Sequence, residues 1–472
     1  MDNECRGEGM SVNVPRSRMP GIAWPAIPDG RAATLLAIQF QLEQSQWWSP
    51  DDLAAWQLRQ LRLLLAHAGR SVPFYRERWR KAGFDPRALP TLTWDDWRRL
   101  PILTRADIQD AGEQLYSTRV PPEHGKPSVL HTSGSTGRPI AAARTQLSIL
   151  FWEAFTQRDH QWQGRDRNGK LAVIRHAEPG RDPYPEGTRT PNWGHARRAV
   201  YDTGPCVALN VNCSPEQQVD WLRREQPDYL LSFPTNVARL AEYCLEHGIR
   251  LSSLRQVQTI SEVLRPEVRE LCRRAWSVRV VDMYSSREAG YIALQCPAHE
   301  HLHVQSEGIL VEILDENGAP CSAGQVGRVV VTPLHNFAMP LIRYEIGDHA
   351  ELGPPCPCGR GLPVLTRIVG RTQNMVVLPD GSRRWTLLSS DDVAELRRIA
   401  PIRQYQFIQR SLETIDAMLA SERPLSRDEE ERLRAWLETK LGHAFAIRFI
   451  YVDEIPRAPS GKFHDFISQV AR

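Results

Sequence analysis

Three features of the 472-residue sequence predict an α/β fold, with a large N-terminal domain of helix-covered β-sheets and a small C-terminal α+β domain. The length is about three times the ~150 residues of an average domain, enough for more than one core. Strand-like runs such as Leu171–Ile174 and Val278–Val281 alternate with helical stretches such as Val237–Glu246, the texture of parallel sheets covered by helices. From about Gly370 that texture gives way to short strands and one well-capped helix. The reading divides the chain into a loose Gly- and Pro-rich arm over 1–30, a large domain over 31–369 and a small one over 370–472.

In chain order, Ser49-Pro50-Asp51-Asp52 starts a helix, with Ser as cap and acid in the first turn; Leu53, Trp56, Leu61, Leu64 and Leu65 form its apolar face. Mixed α/β texture runs on to about residue 365. In the C-terminal part Ser426 and Glu429 form a capping box for a helix that buries Leu433, Trp436, Leu437 and Leu441, and Phe445–Tyr451 follows as a strand.

Composition narrows the function classes. With 41% hydrophobic and 24% charged residues the chain is not a disordered or fibrous one. Its 59 Lys and Arg against 56 Asp and Glu leave a charge of +3, too small to point to a nucleic acid or a membrane surface as partner. The pairs Arg197-Arg198 and Arg383-Arg384 read as solvated faces. No run approaches the roughly 18 apolar residues of a membrane span, and the first thirty residues lack the apolar core of a signal peptide, so a cytoplasmic location is expected. Nine cysteines are an odd number in a long chain, which favours reduced thiols or metal ligands over disulfides.

The most informative stretch is Thr132-Ser133-Gly134-Ser135-Thr136-Gly137, behind an apolar strand-like run. Glycines let the backbone approach a phosphate closely, and unpaired N–H groups and hydroxyls supply donors to its oxygens. The spacing and the missing Lys exclude the G-x-x-x-x-G-K-[ST] loop. With Arg138 and Pro139 the segment resembles the phosphate loop of the adenylate-forming enzymes, the superfamily of acyl-CoA synthetases, luciferases and peptide-synthetase adenylation domains. Four further segments resemble that superfamily in the expected order, so the likeness reaches from Thr132 to Lys462.

Tyr284-Ser285-Ser286-Arg287-Glu288 resembles the motif whose aromatic ring lies on adenine and whose Glu holds magnesium, a hard cation suited to a carboxylate ligand. The resemblance gives Tyr284 and Ser285 a place at the nucleotide and Glu288 the metal. Arg287 replaces the usual Ser or Thr, and its guanidinium could reach the α-phosphate instead. Arg343-Tyr344-Glu345-Ile346-Gly347-Asp348 resembles the segment whose Asp accepts from both ribose hydroxyls, a match of two carboxylate oxygens to a vicinal diol. Gly370-Arg371-Thr372-Gln373-Asn374 resembles the interdomain hinge, with Arg371 near the nucleotide and Asn374 where Asp is common. Pro456 to Lys462 resembles the C-terminal motif in which a flexible Ser-Gly pair carries one Lys into a closing site; Lys462 is the strongest catalytic candidate, with Glu288 and Arg287 beside it.

Cysteine and histidine cluster in Cys296-Pro-Ala-His299-Glu-His301-Leu-His303 and Cys356-Pro-Cys358-Gly359. Three Cys and one His would complete a tetrahedral zinc site, structural because no coordination position stays open. C-x-C is tighter than the C-x₂-C of most zinc knuckles. The phenylacetate-CoA ligase-like branch carries a Leu-His pair at the corresponding place, which selects His303 and leaves His301 and His299 as alternatives. The same branch, with its capsule-biosynthesis relatives, is similar to this chain in Val72–Tyr75 and in the run from Ser286 to Cys296.

The resemblance implies ATP and magnesium as cofactors, CoA as acceptor and a small-molecule carboxylic acid as substrate. An acyl-AMP would form with release of pyrophosphate, and a thioester after it, with the C-terminal domain rotating between steps. Leu231–Asn236 and Thr259–Glu262 are placed near adenine and acyl group, with Phe233 and Pro234 as pocket wall and Ser261 and Glu262 at the nucleotide; Phe233 suits an aromatic acid. Transfer to a carrier protein or an amine is the alternative acceptor chemistry. A zinc-stabilised nucleotide-binding homologue without turnover is the alternative function, suggested by Arg287, Ile346 and Asn374.

Overall fold

A computed structural model describes residues 14–84, 89, 91–131, 140–386, 390–458 and 461–470. Its centre is a twelve-stranded sheet. One half is parallel: the strands Cys206–Asn210, Leu171–Arg175, Tyr229–Ser232, Gln256–Thr259 and Arg279–Ser286 lie side by side in that order. Their crossovers run through the helices Pro215–Glu225, Pro234–Glu246 and Pro266–Trp276, which bury Trp221, Leu222, Val237, Leu240, Cys272 and Trp276 against the strands. Each helix begins with Pro in its first turn, where the missing N–H would have no partner.

The other half departs from the expected parallel arrangement. From Arg279 to Arg371 strand follows strand without a helix, and all pairings are antiparallel. The cause is connection length: the turn Arg287–Ala289 between Arg279–Ser286 and Gly290–Gln295 can close a hairpin, whereas a parallel return needs a crossover of a dozen residues.

The helix Pro50–Ser71 forms as expected, with Ser49 accepting from the backbone N–H of Asp52 and Leu53, Leu61, Leu64 and Leu65 buried. Trp56 is a correction: it is 55% exposed, because it lies off the stripe defined by the four leucines, and Arg59 sits over its ring. Residues 14–29 are not loose. Pro15 bridges Tyr201, the N–H of Arg16 donates to the Val200 carbonyl, and Asp29 caps the helix Gly30–Ser45.

The C-terminal part has its own four-stranded sheet, ordered Ala446–Tyr451, Thr414–Ser421, Ile402–Gln409, Phe466–Ser468, and its own core around Leu396, Phe407, Leu419, Leu433, Trp436 and Leu437. The Ser426–Glu429 capping box is present in both directions. Among the described residues no disulfide links the eight cysteines, and no helix is long and apolar enough to cross a membrane.

Candidate active site and a Cys/His cluster

In open α/β sheets ligands bind beyond the carboxyl ends of the parallel strands. Here Phe233 follows Tyr229–Ser232, Ser261 and Glu262 follow Gln256–Thr259, and Arg287 and Glu288 follow Arg279–Ser286; all line a cavity of about 1440 Å³. The C-terminal part closes its other side with Lys462, Phe463 and His464. Every predicted site residue of this region that the structure describes reaches the cavity, including Pro234, Tyr284, Ser285, Asp348, Arg371 and Asn374. The loop Thr132–Gly137 lies outside the described residues. The strands Ser128–His131 and Ala141–Arg144 on either side of it pair antiparallel, and Arg287 Nη1 donates to the His131 carbonyl at 3.1 Å.

Asp348 sits in the strand Tyr344–Leu352 opposite Arg371 of Val364–Arg371. One of its oxygens accepts from the Tyr284 hydroxyl at 2.7 Å and the other from Arg371 Nε at 3.0 Å. A carboxylate offers about four lone-pair sites, so one acceptor site per oxygen remains for a diol. Burial and the Asp348 charge push the Tyr284 hydroxyl well above the usual tyrosine range, and Asp348 raises Arg371. The ring of Tyr284 is thus held in place through its hydroxyl.

Glu288 is half-buried in the hairpin turn, and among the described residues no donor bonds its carboxylate. It presents a free hard-oxygen ligand to the cavity, the donor type magnesium takes. Lys462 is also without a hydrogen-bond acceptor among the described residues. Burial, then the Arg371 charge, lowers its pKa, against the pull of Asp348, Glu262 and Glu288. His464 next to it is pushed down to about 4 by burial and by Lys462, and so adds no charge at neutral pH.

Glu262 is engaged differently. One oxygen accepts from the Thr235 N–H at 3.1 Å and hydroxyl at 2.8 Å, and the other from the Phe463 N–H at 2.9 Å; burial pushes its carboxyl up. It ties the parallel sheet to the chain segment that carries Lys462. Arg265 pairs with Asp465 across the same boundary, and Asn374 Nδ2 donates to the Phe466 carbonyl at 2.8 Å. Gly461 has φ +78, and a Cβ there would lie 2.4 Å from that of His176, so only glycine lets the Lys462 segment come this close. Sequence patterns carried no signal for these links, since each joins residues far apart in the chain.

Cys296 lies just past the strand Gly290–Gln295, His303 within Leu302–Val304, and Cys356 and Cys358 in the loop before Val364–Arg371. One ligand atom from each of the four residues falls within 4.8 Å of all the others. The Cys296 and Cys356 sulfurs are 3.9 Å apart, against about 3.7 Å for two thiolates on a tetrahedral zinc with Zn–S near 2.3 Å. His303 Nδ1 faces the Leu362 carbonyl at 3.2 Å, which orients the ring and turns Nε2 to Cys358 Sγ at 3.5 Å. His301 Nε2 approaches Cys356 Sγ at 3.0 Å from outside the four, and His299 stacks on His301. None of the four ligands lines the large cavity.

Curated proteins similar to this chain include two ligases. The phenylacetate-coenzyme A ligase of Escherichia coli K12 is 24% identical over 433 residues, 89% of this chain and 95% of that protein. The Pseudomonas putida enzyme of the same name is 26% identical over 343 residues, 71% of this chain and 74% of its own. This chain is similar to the phenylacetate-coenzyme A ligases. Residues 390–469 match the model of the CapK C-terminal domain, and protein CapK of Staphylococcus aureus is 23% identical over 51% of this chain and 53% of its own. A crystal structure of 2-hydroxyisobutyryl-CoA ligase in the postadenylation state, with R3-HIB-AMP, shares the fold at a TM-score of 0.66 and 20% identity, over 90% of this chain and 92% of that one. The chain therefore has the fold of that ligase, a large domain of helix-covered sheet with a small C-terminal α+β part.

Proposed function

We propose that this protein is an ATP-dependent acyl-adenylating ligase that activates a carboxylic acid, aryl or similar, as acyl-AMP and passes the acyl group to CoA. The observation that carries the reading is Lys462, a buried ammonium with no acceptor among the described residues, delivered by a separate unit into a cavity that also holds Asp348, Arg371 and Glu288. A cation without an internal partner is costly to bury and stabilises charge that develops on a bound ligand.

In this mechanism Asp348 accepts from the ribose hydroxyls while Tyr284 packs on adenine. Ser261 and Ser285 line the same nucleotide end, and Thr132–Gly137 cradle phosphate. Glu288 would hold magnesium, which neutralises phosphate charge when bound. A carboxylate oxygen of the acid attacks the α-phosphorus and the bond to pyrophosphate breaks; Lys462 and Arg287 offset the negative charge that accumulates. In the second half-reaction the CoA thiolate attacks the acyl carbon and AMP leaves. Phe233 and Pro234 wall the acyl site, and the segment around Asn374 is the hinge between 31–369 and 370–472. Cys296, His303, Cys356 and Cys358 would hold zinc as a brace that pins two loops to the strand carrying His303, away from the chemistry.

The test is ATP–pyrophosphate exchange over a panel of aryl and acyl acids, followed by CoA addition to the active cases. Acid-dependent exchange and CoA-dependent AMP release are expected. Exchange at background for every acid would overturn the reading in favour of a nucleotide-binding homologue without turnover, and exchange without thioester formation would shift the acceptor to a carrier protein or an amine.

A further inference from the structure

Two charged side chains hold the backbone on either side of Lys462. Arg457 Nη1 donates to the Gly461 carbonyl at 3.2 Å, and a Glu262 oxygen accepts from the Phe463 N–H at 2.9 Å. The first bond falls on the peptide unit before Lys462 and the second on the unit after it. That second unit is tied at its other end as well, because the Lys462 carbonyl accepts from the Ala458 N–H at 2.9 Å. A residue has two soft backbone dihedrals, and the peptide planes on its two sides define them. With both planes tied, the direction in which the Lys462 side chain leaves the backbone is set. Its ammonium has no acceptor among the described residues, so its aim comes from the backbone.

Glu262 and Arg457 converge on one residue. Thr235 lies in the first turn of the helix Pro234–Glu246, whose start at Phe233 has no capping side chain of its own. Glu262 supplies that cap, since its second oxygen accepts from the Thr235 N–H and hydroxyl. The Thr235 hydroxyl oxygen accepts in turn from Arg457 Nη1 at 3.2 Å, and the same nitrogen lies 4.0 Å from the Glu262 carboxylate. The bonds through Thr235 and Glu262 cross from the large sheet to the C-terminal part, whereas the bond from Ala458 to Lys462 stays within the latter.

The pair is buried, with 9% of the Arg457 and 6% of the Glu262 side chain exposed. A buried ion pair adds little net stability, because desolvation offsets the attraction. What this pair provides is geometry: its bonds go to main-chain groups flanking Lys462 and to the helix that begins at Pro234 on the cavity wall. For a group that acts on a developing charge, a misplacement of about 1 Å can cost 10²-fold in rate.

We propose that Glu262 and Arg457 are positioning residues for adenylation: anchored on Thr235, they fix the peptide planes around Lys462 and so aim its ammonium into the cavity. The inference rests on the ligase reading above and deepens it. In this role Glu262, expected at the nucleotide, acts through Lys462 and needs no contact with ATP. Because the bonds cross to the C-terminal part, a rotation of that part between steps breaks them, and the role is confined to the first half-reaction.

The experiment uses the full chain with ATP, magnesium and an acid active in the exchange panel, and compares the wild type with Glu262→Gln, Thr235→Val, Arg457→Met and Arg457→Lys. It measures kcat and KM in pyrophosphate exchange, thioester formation from supplied acyl-AMP and CoA, and melting temperature. Glu262→Gln turns one acceptor oxygen into a donor, and Arg457→Met removes the bonds to Gly461 and Thr235; each should lower the exchange kcat about tenfold with KM for ATP unchanged. Thr235→Val keeps both charges and should lower kcat about threefold. Arg457→Lys keeps a donor and should recover part of the loss seen in Arg457→Met. Thioester formation should stay near the wild-type rate in all four. Should Glu262→Gln or Arg457→Met melt well below the wild type, Thr235→Val and Arg457→Lys carry the same comparison. An unchanged exchange kcat overturns the inference and leaves the ligase reading intact. So does a rise in KM for ATP at constant kcat, which would make Glu262 a nucleotide contact, and so does an equal loss in both half-reactions, which would mean general damage. Background exchange of the wild type with every acid overturns the ligase reading and the inference with it.

Discussion

At the Cys/His cluster the sulfurs of Cys296, Cys356 and Cys358 and Nε2 of His303 turn toward one another, and the second nitrogen of the histidine is spent on a backbone carbonyl. At the cavity Lys462 and Glu288 line the wall with no hydrogen-bond partner for their charged ends among the described residues, and Asp348 keeps an acceptor site on each oxygen. Both regions bury polar groups, which is expensive in either case. A cluster that satisfies itself braces the fold, whereas one that leaves charges unanswered is poised for a ligand of the opposite charge. Removing a group should therefore lower stability in the first region and activity in the second.

The largest effect is expected for Lys462→Ala, with exchange falling at least 10²-fold while ATP still binds and the melting temperature stays within a few degrees. A normal exchange rate would remove Lys462 from the mechanism. Cys356→Ser should do the reverse, costing about 2 kcal/mol or more, roughly 4 °C in melting temperature, together with loss of stoichiometric zinc from protein purified without chelator. A wild-type chain free of zinc would show that the cluster is only a set of packed thiols.

Gly461→Ala tests whether the close approach of the Lys462 segment is needed, since its Cβ would press on His176 at a positive φ. Exchange should fall about tenfold while thioester formation from supplied acyl-AMP persists. Equal loss in both half-reactions would mean general damage. Asn374→Asp replaces a donor to the Phe466 carbonyl by an acceptor, worth about 1 kcal/mol, and should lower exchange three- to tenfold. An unchanged rate would show that the amide is incidental to lid position.

The smallest effect is a pH dependence. Because burial lowers the Lys462 pKa, exchange should decline on the alkaline side at a pH below the ~10.4 of a free lysine. The same shift means that the protonated Lys462 costs stability below its folded-state pKa. That cost is relieved as pH rises from the folded to the unfolded value. An alkaline limb that persists in Lys462→Ala would assign it to another group.

Much of this was legible along the chain. The capped helices at Ser49 and Ser426 follow from local capping chemistry and periodic apolar residues. Cys296, His303, Cys356 and Cys358 could be selected as a donor set from residue type and the likeness of a Leu-His pair. Trp56, which is exposed, and Arg197, which lines the cavity, show where this stops. A helical period marks a face without saying how far the core extends, and a basic pair in a loop reads as solvated until another segment folds over it. The antiparallel half of the sheet was missed because short connections, and not strand composition, decide direction.

By itself the sequence determined the chemistry on offer: a glycine- and hydroxyl-rich segment at Thr132–Gly137, the carboxylates of Glu288 and Asp348, and a lysine beside a Ser-Gly pair. These depend on residue identity and spacing within a few positions. Only the tertiary structure decided which groups are left without partners, because that depends on contacts such as Tyr284 with Asp348, 64 residues apart, and Glu262 with Phe463, 201 apart. Whether a charge becomes a brace, a catalyst or a positioning element is settled by what the rest of the chain brings beside it.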